Sequence, residues 1–109
     1  MEIIEERIGN ALVVRPSGRL DGSTAADFER TLLARLDTSP RQLVLDLAEL
    51  EYVSSAGLRA ILVAAKRGRT TGCNVAVCRA RPHIREVFEV SGFGSVVSLH
   101  DTVQEALDS

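Results

Sequence analysis

Apolar residues open the chain in two short runs, Ile3, Ile4 and Ile8 before Gly9-Asn10 and Leu12, Val13 and Val14 after it. A Gly-X pair between such runs is a hairpin signal, so residues 3–17 read as two strands joined by a tight turn. Pro16 and Gly18 bend or close the second strand, and Arg19-Leu20-Asp21 continue it into a short loop. From Thr24 the period lengthens to that of a helix: Ala25, Phe28, Leu32, Leu33 and Leu36 share one face. Thr24 with Asp27 three residues on resembles a shortened capping box, and the segment 37–40 ends the helix. Leu43, Val44, Leu45, Asp46 and Leu47 are nearly all apolar, which predicts a central parallel strand covered on both faces.

Past Tyr52-Val53, helical spacing returns with Leu58, Ile61, Leu62 and Ala65, and Lys66, Arg67 and Arg69 stand at the end that favours cations. Ser54 or Ser55 is the natural N-cap of this helix. Residues 74–77 read as a further strand. Pro82 opens a helix with Ile84, Val87 and Phe88 inward, and Ser91-Gly92 stops it. A short strand around Val96-Val97 leads to a last helix with Asp101 as cap and Gln104 as its capping-box partner. An opening hairpin followed by alternating strands and helices predicts an α/β fold. It forms one domain over residues 1–109, with a mixed β-sheet, parallel in its centre, and about four α-helices.

Composition narrows the function classes. Hydrophobic residues make up 45% of the chain and charged ones 26%, the proportions of a domain that buries a core unaided. Thirteen Lys and Arg against fifteen Asp and Glu leave a net charge of -2, so no basic field exists to gather nucleic acid directly. Charges interrupt every apolar run well short of the ~18 residues a membrane span needs. Met1 is followed by acidic residues where a secretory signal would be basic. A cytoplasmic protein with no membrane span is expected.

Signs of catalysis are sparse. The sequence has no Gly-rich phosphate loop, no His-rich metal spacing and no Gly-x-Ser-x-Gly elbow, and its two histidines, His83 and His100, fall beside a helix-opening proline and a cap. Cys73 and Cys78 are five residues apart in a strand-like stretch, an odd separation that sends the thiols to opposite faces of a sheet. Neither a shared metal ion nor an intrachain disulfide fits that spacing, and no cofactor or metal is expected.

The unusual segment is Val53-Ser54-Ser55-Ala56-Gly57-Leu58. It places two hydroxyls at a strand-to-helix junction, where free N–H groups and the helix dipole can stabilise an added phosphate, although a serine there also serves as a plain cap. Along the helix that follows, Gly57, Ala60, Val63 and Ala64 leave one side small and uncharged, broken only by Arg59, Lys66 and Arg67. Such a side suits either a docking partner or close packing within the domain.

Taken together, these segments resemble the STAS domain of bacterial anti-sigma-factor antagonists over nearly the whole chain. The resemblance rests on Gly18-Arg19-Leu20-Asp21 with Thr24-Ala25, on residues 43–47, on Tyr52 to Leu58, and on Phe88-Glu89-Val90-Ser91-Gly92-Phe93. It implies a partner-switching module. In that family the unmodified antagonist binds an anti-sigma factor that is also an ATPase-type serine kinase, and so frees a sigma factor. Phosphorylation releases the kinase, and a metal-dependent serine phosphatase resets the module. The matching acceptor is Ser55, with Asp21, Ser54, Ala56, Gly57, Arg59, Ala60 and Val63 as partner-binding residues. ATP and metal chemistry then belong to the partners, and the chain itself is no enzyme. One departure stands out: many members carry Asp where this chain has Ser54, which leaves a second acceptor hydroxyl. The alternative is a STAS-like adaptor subunit of a transporter or sensory complex, without phosphorylation.

Overall fold

The computed structural model describes residues 1–109, and the opening hairpin forms around the Gly-Asn pair. Strands β1 (Glu2–Ile8) and β2 (Ala11–Leu20) pair antiparallel, from Glu2 opposite Ser17 to Ile8 opposite Ala11. Gly9 takes a φ of 59° in the turn, a left-handed conformation that glycine adopts without a steric penalty. Helix α1 (Ala25–Leu36) follows, then β3 (Gln42–Asp46), β4 (Leu50–Val53), α2 (Ser55–Thr71), β5 (Asn74–Cys78), α3 (Pro82–Val90), a 3-10 turn (Phe93–Ser95), β6 (Ser98–His100) and α4 (Val103–Asp108).

The sheet runs β1-β2-β3-β5-β6, and every pair beyond the hairpin is parallel. Strand β4 lies off this path. It continues the ladder where β3 leaves off, pairing with the last three residues of β2. Four helices around a mixed sheet with a parallel centre are the architecture that the alternating pattern implies.

Alternation along the strands splits the core in two. Leu12, Val14, Leu43, Leu45, Val75 and Val77 meet Phe28 and Leu32 of α1, Ile61 and Ala64 of α2, and Ile84 and Phe88 of α3. On the opposite face Val13, Val44, Ala76 and Cys78 are covered by Ala106, with Val103 and Leu107 of α4 packed around them. Cys73 belongs to the first cluster and Cys78 to the second, so the thiols are on opposite sides of the sheet, as their odd spacing requires. Burial raises the pKa of both, that of Cys78 to about 11, with the Asp46 carboxylate adding to the effect.

Asp46 is the one charged residue buried among the apolar side chains, 1% exposed at the end of β3. It accepts two bonds from Arg79 (3.0 and 2.7 Å), one from Arg15 Nε (3.0 Å) and one from the Ala48 amide (3.2 Å). Burial alone would raise its pKa, but these donors hold it below the ordinary carboxylate value. Arg15 also reaches Glu6 at 2.9 Å, so one charged chain crosses from β1 through β2 and β3 to the end of β5.

Several local expectations are corrected. Thr24 occupies the N-cap position of α1, yet its hydroxyl makes no cap bond; it accepts from the Asp21 amide (2.9 Å) and donates to the Arg19 carbonyl (3.0 Å), bracing the preceding loop. Val87 is not inward but 37% exposed, because the short α3 buries only Ile84 and Phe88. The last strand starts after Val96-Val97, at Ser98, since the 3-10 turn occupies the chain just before it. The cap of α4 is likewise one residue later than expected. Thr102 accepts from the Glu105 amide at 3.0 Å, and Glu105 reaches back to the Asp101 amide.

Candidate functional site

The two ends that frame the site are fixed by backbone bonds. Where β4 ends, the Ser54 amide donates to the Leu20 carbonyl at 2.8 Å, which pins the start of α2 to the end of β2. Ser54 is extended (φ −90°, ψ 174°), and its Oγ accepts from the Gly57 amide at 3.1 Å. Of the two candidate caps, Ser54 is therefore the one used. Ser55 is the first residue of α2, exposed, and its hydroxyl makes no hydrogen bond. The pair thus divides its tasks: one hydroxyl holds the helix end and the other is left open.

Gly57 explains how closely the helix can start against β2. A Cβ there would stand 2.6 Å from Leu20 Cγ and 2.8 Å from the Leu20 carbonyl oxygen, closer than real contacts allow. We expect Gly57→Ala to cost about 1–2 kcal/mol, the strain of overpacking offset in part by the better helix propensity of alanine. Ala56→Ser, one exposed position earlier, should melt near the parent. Thermal unfolding followed by circular dichroism compares the two, and an unchanged melt for Gly57→Ala would show that Leu20 gives way.

The neighbouring loop carries Asp21. Its carboxylate accepts from the Ser23 amide (3.0 Å) and hydroxyl (2.7 Å), and Arg19 Nε lies 3.8 Å away. Those Ser23 bonds, with the Arg19 charge, lower its pKa. Arg19 also stacks its guanidinium 4.2 Å over the centroid of Tyr52, a cation–π contact that joins this loop to β4.

Helix α2 resolves the question of its small residues. Gly57, Ala60 and Ala64 are buried, with Leu58, Ile61, Ala65 and Gly68, and the helix packs closely against α1. Gly57 and Ala60 therefore serve the domain interior and offer no side-chain surface to a partner. The outward residues are Ser55, Ala56, Arg59, Lys66 and Arg67, with Arg69, Thr70 and Thr71 at the far end and Leu62 and Val63 half-buried beside them.

Two open hollows meet at Ser55. One, about 530 Å³, runs along α2 past Leu58, Arg59, Leu62, Val63 and Lys66 to Phe93. The other, about 420 Å³, lies towards α3 and is lined by Leu58, His83, Glu86, Val87, Val90 and Ser91. Val90 is 79% exposed there. The α3 and 3-10 contributions were missed in the sequence, although Val87 and Val90, three apart on a short amphipathic helix, were the available signal. His83 Nε2 sits 2.8 Å from the Glu51 carbonyl oxygen and His100 Nε2 3.0 Å from Ser98 Oγ, so neither imidazole pairs with a hydroxyl of the turn. A larger cleft of about 640 Å³ is at the far end of the sheet, among Asn10, Arg41, Gln42, Asn74 and Gln104; it is mostly polar and shares no residue with the Ser55 hollows.

The family pattern of the STAS domain matches residues 2–106. The chain belongs to the STAS domain family. BtrV of Bordetella bronchiseptica, named as a candidate anti-sigma factor antagonist, is 37% identical over 106 residues, covering 97% of this chain and 91% of that protein. An anti-sigma F factor antagonist of Paenibacillus polymyxa is 30% identical over 109 residues, covering 98% and 92%. Among solved structures, the anti-sigma factor antagonist SpoIIAA shares the fold at 19% identity. Its unphosphorylated form superposes with a TM-score of 0.82, covering 98% of this chain and 94% of that one. The phosphorylated Bacillus form gives 0.75, covering 98% and 97%. In this STAS domain no helix is long and apolar enough to cross a membrane.

Proposed function

We propose that this STAS domain is an anti-sigma-factor antagonist that works in the cytoplasm as a partner switch and has no catalytic activity of its own. Unmodified, it binds an anti-sigma factor of the ATPase-type serine kinase class, and a sigma factor is released. Phosphorylation of Ser55 ends the complex, and a metal-dependent serine phosphatase restores it. The observation that carries this reading is the free Ser55 hydroxyl on the ridge between two partly apolar hollows, beside a Ser54 hydroxyl already committed as a cap. Names of relatives over nearly the full chain support the antagonist class, and a structural neighbour exists in a phosphorylated form.

The chemistry asked of the chain is modest. Ser55 Oγ bonds to the γ-phosphorus of ATP held by the kinase, its proton passes to a base on that partner, and ADP leaves. The product dianion sits at the start of α2, where the Ser55 and Ala56 amides have no acceptor and the dipole contributes about 0.3–1 kcal/mol. The outward face of α2, with Ala56, Arg59 and Val63, and the Asp21 loop form the proposed docking surface, extended to Val87, Val90 and Phe93.

The experiment is mass spectrometry after incubating the chain with ATP and the kinase that copurifies with it. One phosphate on Ser55 is expected, and Ser54→Ala should still be labelled. Phosphate on Ser54 in the parent would sink the assignment.

A further inference from the structure

We propose that Arg59 is the counter-ion of the phosphate placed on Ser55, in an ion pair closed within the chain itself. The inference rests on the reading of Ser55 as the acceptor and adds what happens to the surface afterwards. Ser55 and Arg59 are separated by four residues on α2, so their side chains lie one above the other on the same face. Both line the hollow of about 530 Å³. The acidic group would be N-terminal to the basic one, the favourable order for such pairs. Arg59 is also available: it is exposed and takes part in none of the chain's salt bridges, unlike Arg15, Arg19, Arg30, Arg35, Arg79 and Arg85.

No other cation competes. Lys66 lines the same hollow but is eleven residues along, about 16 Å at 1.5 Å per residue. His83 faces Ser55 from α3, yet its Nε2 is engaged with the Glu51 carbonyl, and Glu86 beside it repels a phosphate. Arg19 is occupied by Asp21 and Tyr52. A guanidinium can meet phosphate oxygens through two parallel N–H bonds, which a lysine cannot do. Modification then changes two features at once. A neutral hydroxyl becomes a dianion, and the free cation that lines the hollow is drawn onto it.

The test installs phosphoserine at position 55 of the full chain during synthesis, so that no kinase is needed, and follows the second phosphate pKa by phosphorus NMR. Arg59→Gln should raise that pKa by about 0.3 unit relative to the parent. Arg59→Lys should recover part of the difference, Lys66→Gln should leave the value unchanged, and ~1 M salt should shrink the effect. Thermal melts of the unmodified variants establish that each is folded. Equal pKa values in parent and Arg59→Gln, or a rise caused by Lys66→Gln instead, overturn the pair. The two readings fail separately: a chain the kinase does not label ends the acceptor assignment while the titration result stands, and equal pKa values leave that assignment untouched.

Discussion

In the proposed partner switch, Ser55→Glu should bind the kinase at least about a hundredfold more weakly than Ser55→Ala. The surface around Ser55 is open and partly apolar, and a complex that covers Leu62, Val63, Val87, Val90 and Phe93 must also cover position 55, which lies between the two hollows. A partner shaped to a neutral hydroxyl would have to take an ionised group out of water with only the exposed Arg59 of this chain as counter-charge. Desolvating a pair that is not fully hydrogen-bonded still costs several kcal/mol. Each ~1.4 kcal/mol is tenfold in affinity. The Ser55→Ala variant lacks only an exposed hydroxyl with no hydrogen bond, so it should bind constitutively and resist release by ATP. Both variants should melt near the parent, because a carboxylate in the first turn suits the dipole and alanine suits a helix. Titration calorimetry against the copurifying kinase measures the difference, and equal affinities would falsify the role of charge at this position.

The largest stability effect is expected away from Ser55, at Asp46. Replacing it by alanine leaves Arg79 and Arg15 facing a buried gap where a carboxylate accepted four bonds. Removing one partner of a fully buried pair costs about 3–5 kcal/mol, and the half-exposed guanidinium of Arg79 reduces this to about 2–3. For a chain of this size that corresponds to a melting point lower by roughly 10 °C or more. The sign with pH follows from the lowered pKa of Asp46 in the fold. Its contribution is present above the unfolded value of about 4 and is lost as pH falls through the folded value. The gap between parent and Asp46→Asn should therefore be widest near neutral pH and close on acidification. Chemical denaturation across that range checks it, and a constant gap would mean that the charge is not what stabilises the site.

The parts of the fold legible in sequence were those with a strong period or a clear turn. The inward faces of α1 and α2 show the period, because burial on one face leaves a regular trace. The β1-β2 hairpin was legible instead from its Gly-Asn turn, β1 being largely exposed and β2 buried on both faces at its start. Strand β4 left little: Glu51 and Tyr52 are exposed, and its ladder with β2 is only three residues long. Strand β6 was displaced for the opposite reason, since the apolar Val97 is buried before the strand begins while Ser98 and His100 within it are polar. At the site, the turn was readable from its serines and glycine, but not which side of α2 its small residues occupy. Small size permits both an interior contact and a docking face, and only the placement of α1 and Leu20 decides for the interior.

The division of α2 into two faces has a consequence for how such modules multiply. Apart from Leu58, which also lines both hollows, the residues that build the interior, such as Gly57, Ala60, Ile61, Ala64 and Gly68, are distinct from those that meet solvent, such as Ala56, Arg59 and Lys66. Exposed substitutions away from caps and ion pairs change stability by no more than about 0.5 kcal/mol. After a gene duplication, the outward set can drift towards a new partner while the inward set keeps the fold intact. Crosstalk between parallel pathways can thus be lost by a few surface changes, one copy at a time, without passing through an unfolded ancestor.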